Sequence, residues 1–485
     1  MISAYVVPCA IACLLVWMLA SLFGKRRLFL FARDYKGPRF YPVVGNGLHA
    51  IEKDFFNGIQ DHIKDGLPSN LWLCHEYYYI TDNATEIREV LNNPNSLDKM
   101  KLYGFINLAM KDSLLLMPVD LWKKHRKFCS RSFSQPVLNS FVRFFYNNSV
   151  TLNEVLKDAH NKDTFEIFER YTFETFCESV VGYEYKAQLN HNLKLVESLE
   201  ELQTLGSHLV VAFRYIPIVF WLFLSRGRRA LKIIRNVHTT IYNIIEEKRK
   251  SYFKESVCYD NDALPLVDSM LYNGFNNKQI FDEVFLFILA ATDTSGGTLA
   301  YFFTLLGMHQ DIQNKVYEEV MEVVGPHRPI YQEDLNNLKY TERCIFEAMR
   351  IFPVVPYLGR YATADIPVGT KVIPKDTNIF ISIFNVHRNE NYYPDPLKYD
   401  PDRFLPEEIA KRDSYAFIPF SGGPRNCIGK TYALMLLKTA AASVIRNYQT
   451  FSDYKSVTEL NFTSCISMKT VHKLDCRFKP RIHPE

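Results

Sequence analysis

The stretch Phe420-Ser421-Gly422-Gly423-Pro424-Arg425-Asn426-Cys427-Ile428-Gly429 runs directly into a strong amphipathic helical pattern that begins near Lys430. A cysteine just before a helix N-terminus sits at the positive end of the dipole, beside backbone N–H groups that lack intrahelical partners. Both features favour a thiolate over a thiol. Gly423 and Gly429 let the backbone approach a flat ligand closely, where a side chain would clash. Arg425, two residues before the sulfur, can reach an anionic group at such a ligand's edge. One thiolate presented this way suits an axial position on an iron macrocycle, because zinc would need further ligands nearby. The competing reading of the loop alone is a buried free cysteine among glycines.

The chain around this loop has 485 residues, of which 47% are hydrophobic and 23% charged, enough to bury a large core. A net charge of +4 over that length lacks the concentrated basic domain expected of a nucleic-acid binder. Ten cysteines lie at irregular spacing with no C-x-x-C, which fits a reducing compartment and disfavours both a disulfide scaffold and a structural zinc site. Residues 4–23 carry no charge, and about 20 such residues suffice to span a bilayer. Lys25, Arg26 and Arg27 follow at once, which favours a retained anchor with the body on the cytoplasmic side. A cleaved signal peptide, the alternative, more often carries its positive charge ahead of the apolar run. Gly37, Pro38, Pro42 and Gly45 then read as a stiff turn. The expected organisation is a membrane anchor over 1–24, a basic and proline-rich hinge over 25–47, and one catalytic body over 48–485.

Helical periodicity dominates that body, notably over 119–133, 136–160, 164–181, 230–253, 278–308, 340–351 and 429–448. Strand-like runs appear at 71–80, 361–364, 371–373, 378–384 and near 465–468, so the expected class is mainly α with minor β. The stretch 385–420 has no helical period and reads as a long ordered meander. Residues 283–308 are almost continuously apolar, broken by Asp293, Thr294, Ser295, Gly296 and Gly297. An ionisable residue at the centre of a membrane span is costly, so a buried core helix is the better reading. The short apolar run 216–224 could dip into a membrane interface or simply be buried.

Phe420, Gly423, Arg425, Cys427 and Gly429 match F-x-x-G-x-R-x-C-x-G at every fixed position, and the loop resembles the signature of the cytochrome P-450 family. Other landmarks of that family follow in order across nearly the whole chain. The resemblance implies a single cytochrome P-450 fold around a buried, non-covalent haem b, with Cys427 as iron ligand. It also implies that Trp122 and Arg126, which form W-x-x-x-R, bind the haem propionates together with Arg360 and Arg425. Ordinary core packing is the competing role for Trp122. The polar break resembles the family's A-G-x-D-T-T segment, which implies that Thr294 handles oxygen and Asp293 handles protons. The bland alternative is that Thr294 bonds back to its own helix carbonyl. Glu347 and Arg350 resemble E-x-x-R, and Pro401-Asp402-Arg403-Phe404 resembles P-E-R-F, implying a structural cluster of Glu347, Arg350 and Arg403.

Within the family, Arg360, His387-Arg388 and Pro401-Asp402-Arg403-Phe404 look most like the microsomal fatty-acid-hydroxylase-like branch with its many insect members. That branch reads E-V-D-T-F-M-F-E-G-H-D-T where this chain has Ala290 in place of the second glutamate and Ala291 in place of the glycine. A covalent ester to haem is therefore not expected. The resulting expectation is a microsomal monooxygenase of the endoplasmic reticulum membrane, with its catalytic domain on the cytoplasmic face. It would insert one atom of O2 into a lipid, hormone or xenobiotic such as an insecticide. Electrons would come from NADPH through a separate reductase, with cytochrome b5 a second candidate donor, since no dinucleotide-binding fingerprint is present. The rival readings are a haem-thiolate isomerase or dehydratase, and an inactive haem-binding protein.

Overall fold

A computed structural model describes residues 24–41, 45–47, 54–158, 162–190, 195–199, 201–202, 205–206, 225–254, 264–464 and 466–482. All but Gly24 of the expected anchor over 1–24, and the apolar run 216–224, lie outside the described residues. The helices that position the site are α1 (Ala84–Asn92), α2 (Val119–Arg131), α3 (Gln135–Lys157), α4 (Thr164–Phe176), α5 (Ser225–Lys254), α6 (Asn277–Met308), α7 (Lys339–Ile351) and α8 (Lys430–Asn447). Helix α6 starts at a capping box, in which Asn276 and Gln279 each satisfy the other's backbone N–H. Among the described residues it alone is long and apolar enough to cross a membrane, and most of it is buried inside the protein, as expected of a core helix. Helices α4, α5, α7 and α8 pack against it.

The main sheet has the order β1-β2-β6-β3, formed by Ser69–Leu73, Glu76–Thr81, Asn378–Ser382 and Tyr357–Tyr361. Strands β2 and β6 run parallel, and the other neighbours are antiparallel. Sequence reading placed β3 at 361–364, four residues too late at its start. Gly359, normally unfavourable in a strand, is where the chain packs closest to Met100: a Cβ there would lie 2.2 Å from the methionine sulfur. The shift matters because it sets Arg360 inside the strand, opposite Ile379. Ile366–Val368 with Lys371–Ile373, Tyr448–Ser452 (β7) with Cys476–Pro480, and Phe462–Ser464 (β8) with Met468–Thr470 (β9) form three two-stranded ribbons. The meander is less irregular than its sequence suggests, holding helical turns at Pro401–Phe404, Pro406–Ala410 and Ser414–Ala416. Such turns are too short for a periodic signal. Asp400 and Asp413 start two of them by accepting backbone N–H groups with their side chains.

Candidate functional site: a cysteine loop, a cationic rim and an accessible helix stripe

The cysteine loop closes on itself before α8 begins. The Cys427 N–H donates to the Phe420 carbonyl at 2.9 Å, and the Asn426 N–H to the Gly423 carbonyl at 3.2 Å. Ser421 and Gly423 both take positive φ, 61° and 67°. A Cβ on Gly423 would fall 2.0 Å from the Leu91 carbonyl oxygen, so this glycine is required by the approach of α1's backbone. At Gly429 a Cβ would meet only the Cys427 sulfur, at 3.9 Å. Cys427 is accessible, yet the protein crowded around it pushes the thiol up from its ordinary value. The Gly429 backbone N–H and the charges of Arg126 and Lys430 pull it back down. The ring of Phe420 lies under the Lys430 ammonium, 6.0 Å away.

Three elements bring cations to this loop. Arg126 on α2 donates to the Asn426 carbonyl and to the Asn426 side-chain oxygen, both at 3.0 Å. Arg425 stacks over the buried Trp122 ring at 4.2 Å and donates to the Leu114 and Met117 carbonyls. Trp122 therefore has a definite task, holding a guanidinium plane. Arg360 is 1% exposed and reaches the Gly359 carbonyl and the Ser421 hydroxyl. Lys99, which no motif singles out, lies close enough to feel both Arg360 and Arg425. Burial is the largest cause in each case: Lys99 is pushed well below its ordinary value, Arg360 is lowered and Arg425 falls to about 10, and repulsion from Arg360 adds to the lowering of Lys99 and Arg425. The Nε atoms of Arg360 and Arg425 are buried with no hydrogen-bond partner among the described residues. A dianionic group at the edge of a ligand would satisfy these donors and relieve the repulsion. The donor set therefore fits a haem with two carboxylates, whose iron Cys427 would ligate.

Along the otherwise buried middle of α6, Ala290 is exposed and Leu289, Ala291 and Thr294 are half-buried. Ala290 and Thr294 are four apart and share one face, which is the accessible stripe. The Thr294 hydroxyl donates to the Ala290 carbonyl at 2.6 Å, as the bland reading held, and the helix continues unbroken through Ala291. Asp293 is 5% exposed and turned elsewhere. Its carboxylate pairs with Lys469 of β9 at 3.4 Å, and Lys469 also pairs with Glu169 of α4 at 2.6 Å. Gly296 permits this arrangement, since a Cβ there would lie 2.8 Å from the Glu169 backbone. Asp293 and Thr294 are thus neighbours in sequence that serve different surroundings. Sequence reading missed Lys469 and Glu169, which come from distant stretches without a motif.

Glu347 and Arg350 form a bidentate pair at 2.6 and 2.8 Å, both side chains fully buried. Arg403 adds a longer contact to Glu347 at 3.4 Å. Arg350 also donates to the His387 and Lys398 carbonyls, and the Asp400 N–H donates to Glu347. The cluster ties α7 to the meander at both ends. His387, buried beneath it, accepts from the Ile418 N–H at 2.9 Å, just upstream of the cysteine loop. Burial lowers that imidazole to about 3, so it stays neutral and able to accept.

Residues 36–472 match the family model for Cytochrome P450. A probable cytochrome P450 4d20 of Drosophila melanogaster is 27% identical, over 90% of this chain and 92% of that protein. A probable cytochrome P450 4d21 of the same fly is 30% identical, over 85% and 87%. Cytochrome P450 4V2 of Rattus norvegicus is 29% identical, over 86% and 84%.

Proposed function

Because the chain belongs to the cytochrome P450 family and is a haem-thiolate monooxygenase, we propose that it oxygenates lipophilic substrates at the endoplasmic reticulum membrane. Electrons would come from NADPH through a separate reductase, with cytochrome b5 a second candidate donor. Haem b, when bound, supplies the activation of O2 and the transfer of one oxygen atom to substrate. Cys427 would hold the iron, and Arg126, Arg360, Arg425 and Lys99 would hold the haem carboxylates, with Trp122 orienting Arg425. The observation that carries this assignment is that the guanidinium Nε of both Arg360 and Arg425, beside the cysteine loop, is buried without a hydrogen-bond partner among the described residues.

The accessible stripe of α6 presents Leu289, Ala290 and Ala291, with Thr294 its one polar side chain. Such a surface offers burial to an apolar substrate and gives a polar one few partners. Ala290 also leaves no carboxylate on that face for a covalent link to haem. Thr294 would move the proton its hydroxyl shares with the Ala290 carbonyl, while Asp293 would receive protons through the side facing Lys469 and Glu169. Membrane attachment rests on the uncharged residues 4–23 followed by Lys25, Arg26 and Arg27.

The test is reconstitution with reductase and NADPH, measuring oxygen consumed and oxygenated product together. The wild type is expected to couple the two in the presence of an apolar substrate. Thr294→Ala should keep consuming NADPH while product per oxygen consumed falls several-fold, because the stripe loses its one hydroxyl. Turnover that needs no NADPH would favour the isomerase or dehydratase reading. No oxygen consumption with any substrate would favour an inactive haem-binding protein.

A further inference from the structure

Helices α2 and α6 meet at a second cluster, which none of the chemistry above uses. His125 and Cys129 are four apart on α2 and share one face, and Glu283 on α6 faces them. One ligand-capable atom from each of the three lies within 4.8 Å of the others. The His125 Nε2 sits 2.9 Å from Glu283 Oε1, which also accepts the Leu114 N–H at 2.7 Å. Cys129 and Glu283 are both 0% exposed. One polar atom here is buried without a hydrogen-bond partner among the described residues, the second carboxylate oxygen of Glu283, Oε2. Phe128 and Phe275, stacked on each other at 4.9 Å, flank the imidazole and keep the cluster in apolar surroundings.

A buried carboxylate, imidazole and thiol make an expensive set to keep dry unless something holds them together. Burial pushes the Glu283 carboxyl and the Cys129 thiol up, and the Glu283 charge raises the thiol further. We propose that His125, Cys129 and Glu283 bind one thiolate-accepting divalent metal of the zinc type, pinning α2 to α6. Nitrogen, sulfur and oxygen donors in a small cluster suit Zn2+, and the sulfur argues against Mg2+ or Ca2+. With a neutral imidazole, a thiolate and a carboxylate, a divalent ion leaves the site with no net charge. Three protein ligands leave the fourth tetrahedral position to water. The Leu114 N–H on the carboxylate is the kind of supporting hydrogen bond that orients a metal ligand. The position is consequential, because Trp122 and Arg126 flank His125 on the same helix and face the cysteine loop. No C-x-x-C marks this site. Its ligands come from two helices, so spacing along one of them could not reveal it.

The holoprotein, stripped with a chelator and then dialysed against Zn2+, is the material to test, with bound zinc measured by elemental analysis. One zinc per chain is expected, with affinity lowered at least tenfold in Cys129→Ala and in His125→Gln. Haem content in each variant serves as the control for folding. X-ray absorption on the wild type needs no variant, and should show one sulfur at about 2.3 Å with lighter ligands near 2.0 Å. Zinc uptake that is absent, or unchanged in Cys129→Ala, would overturn the proposal and leave a buried His125–Glu283 ion pair. An absorption spectrum without a sulfur ligand would do the same.

Discussion

Replacing Arg350 by leucine is expected to cost about 3–5 kcal/mol and to leave little folded holoprotein, because it strands a buried carboxylate. Glu347 is fully buried and takes two short hydrogen bonds from Arg350. Without that guanidinium its nearest remaining cation is Arg403, at 3.4 Å. The His387 and Lys398 carbonyls lose a donor in the same stroke. Burial already pushes the Glu347 carboxyl up, and Arg350 is the main group opposing it. In the variant the carboxyl takes up a proton or drags water inside, and either response loosens the meander that leads to the cysteine loop. Denaturant unfolding and haem content measure the effect. Replacing Glu347 and Arg350 together by leucine should cost less than Arg350→Leu alone, since no orphan charge remains. A single variant as stable as wild type would show that the pair is dispensable.

Gly423→Ala is expected to reduce bound haem by more than tenfold. The position has φ +67°, and placing alanine there costs about 1–2 kcal/mol on conformation alone. The larger effect is steric. The added methyl would lie 2.0 Å from the Leu91 carbonyl oxygen, backbone against backbone, with no flexible side chain to give way. The loop must therefore move away from α1, carrying Arg425 and Cys427 with it. Gly274 provides the comparison: its φ is +74°, and nothing lies within 4 Å of where its Cβ would be. Gly274→Ala should show the conformational cost and leave haem binding intact. Equal haem content in the two variants would mean that the loop tolerates the displacement.

How much of this was legible in the sequence depended on whether a function sits in one local stretch. The cysteine loop, the Glu347–Arg350 pair and Trp122 with Arg126 each lie within one local stretch, so short motifs could single them out and the family resemblance could suggest their roles. Helix α6 was readable as a core helix because Asp293 and its neighbours interrupt an apolar run that a membrane would not tolerate interrupted. Lys99 was invisible, since it joins Arg360 and Arg425 only once β3 and the cysteine loop are folded together. Lys469 was invisible for the same reason, arriving from a C-terminal ribbon to meet Asp293 and Glu169. The steric constraint on Gly423 was invisible in the sequence, because it comes from α1's carbonyl and that contact is long-range. Local patterns name the chemistry; distant pairings decide which charge each group meets.

The absorption spectrum of the reduced protein with carbon monoxide, in wild type and in Cys427→Ser, tests the central assignment most directly. Ligation of haem iron by the Cys427 thiolate predicts a strongly red-shifted Soret band in the wild type that disappears in the variant. A histidine-like band in the wild type, or a red-shifted band that survives in Cys427→Ser, would contradict it.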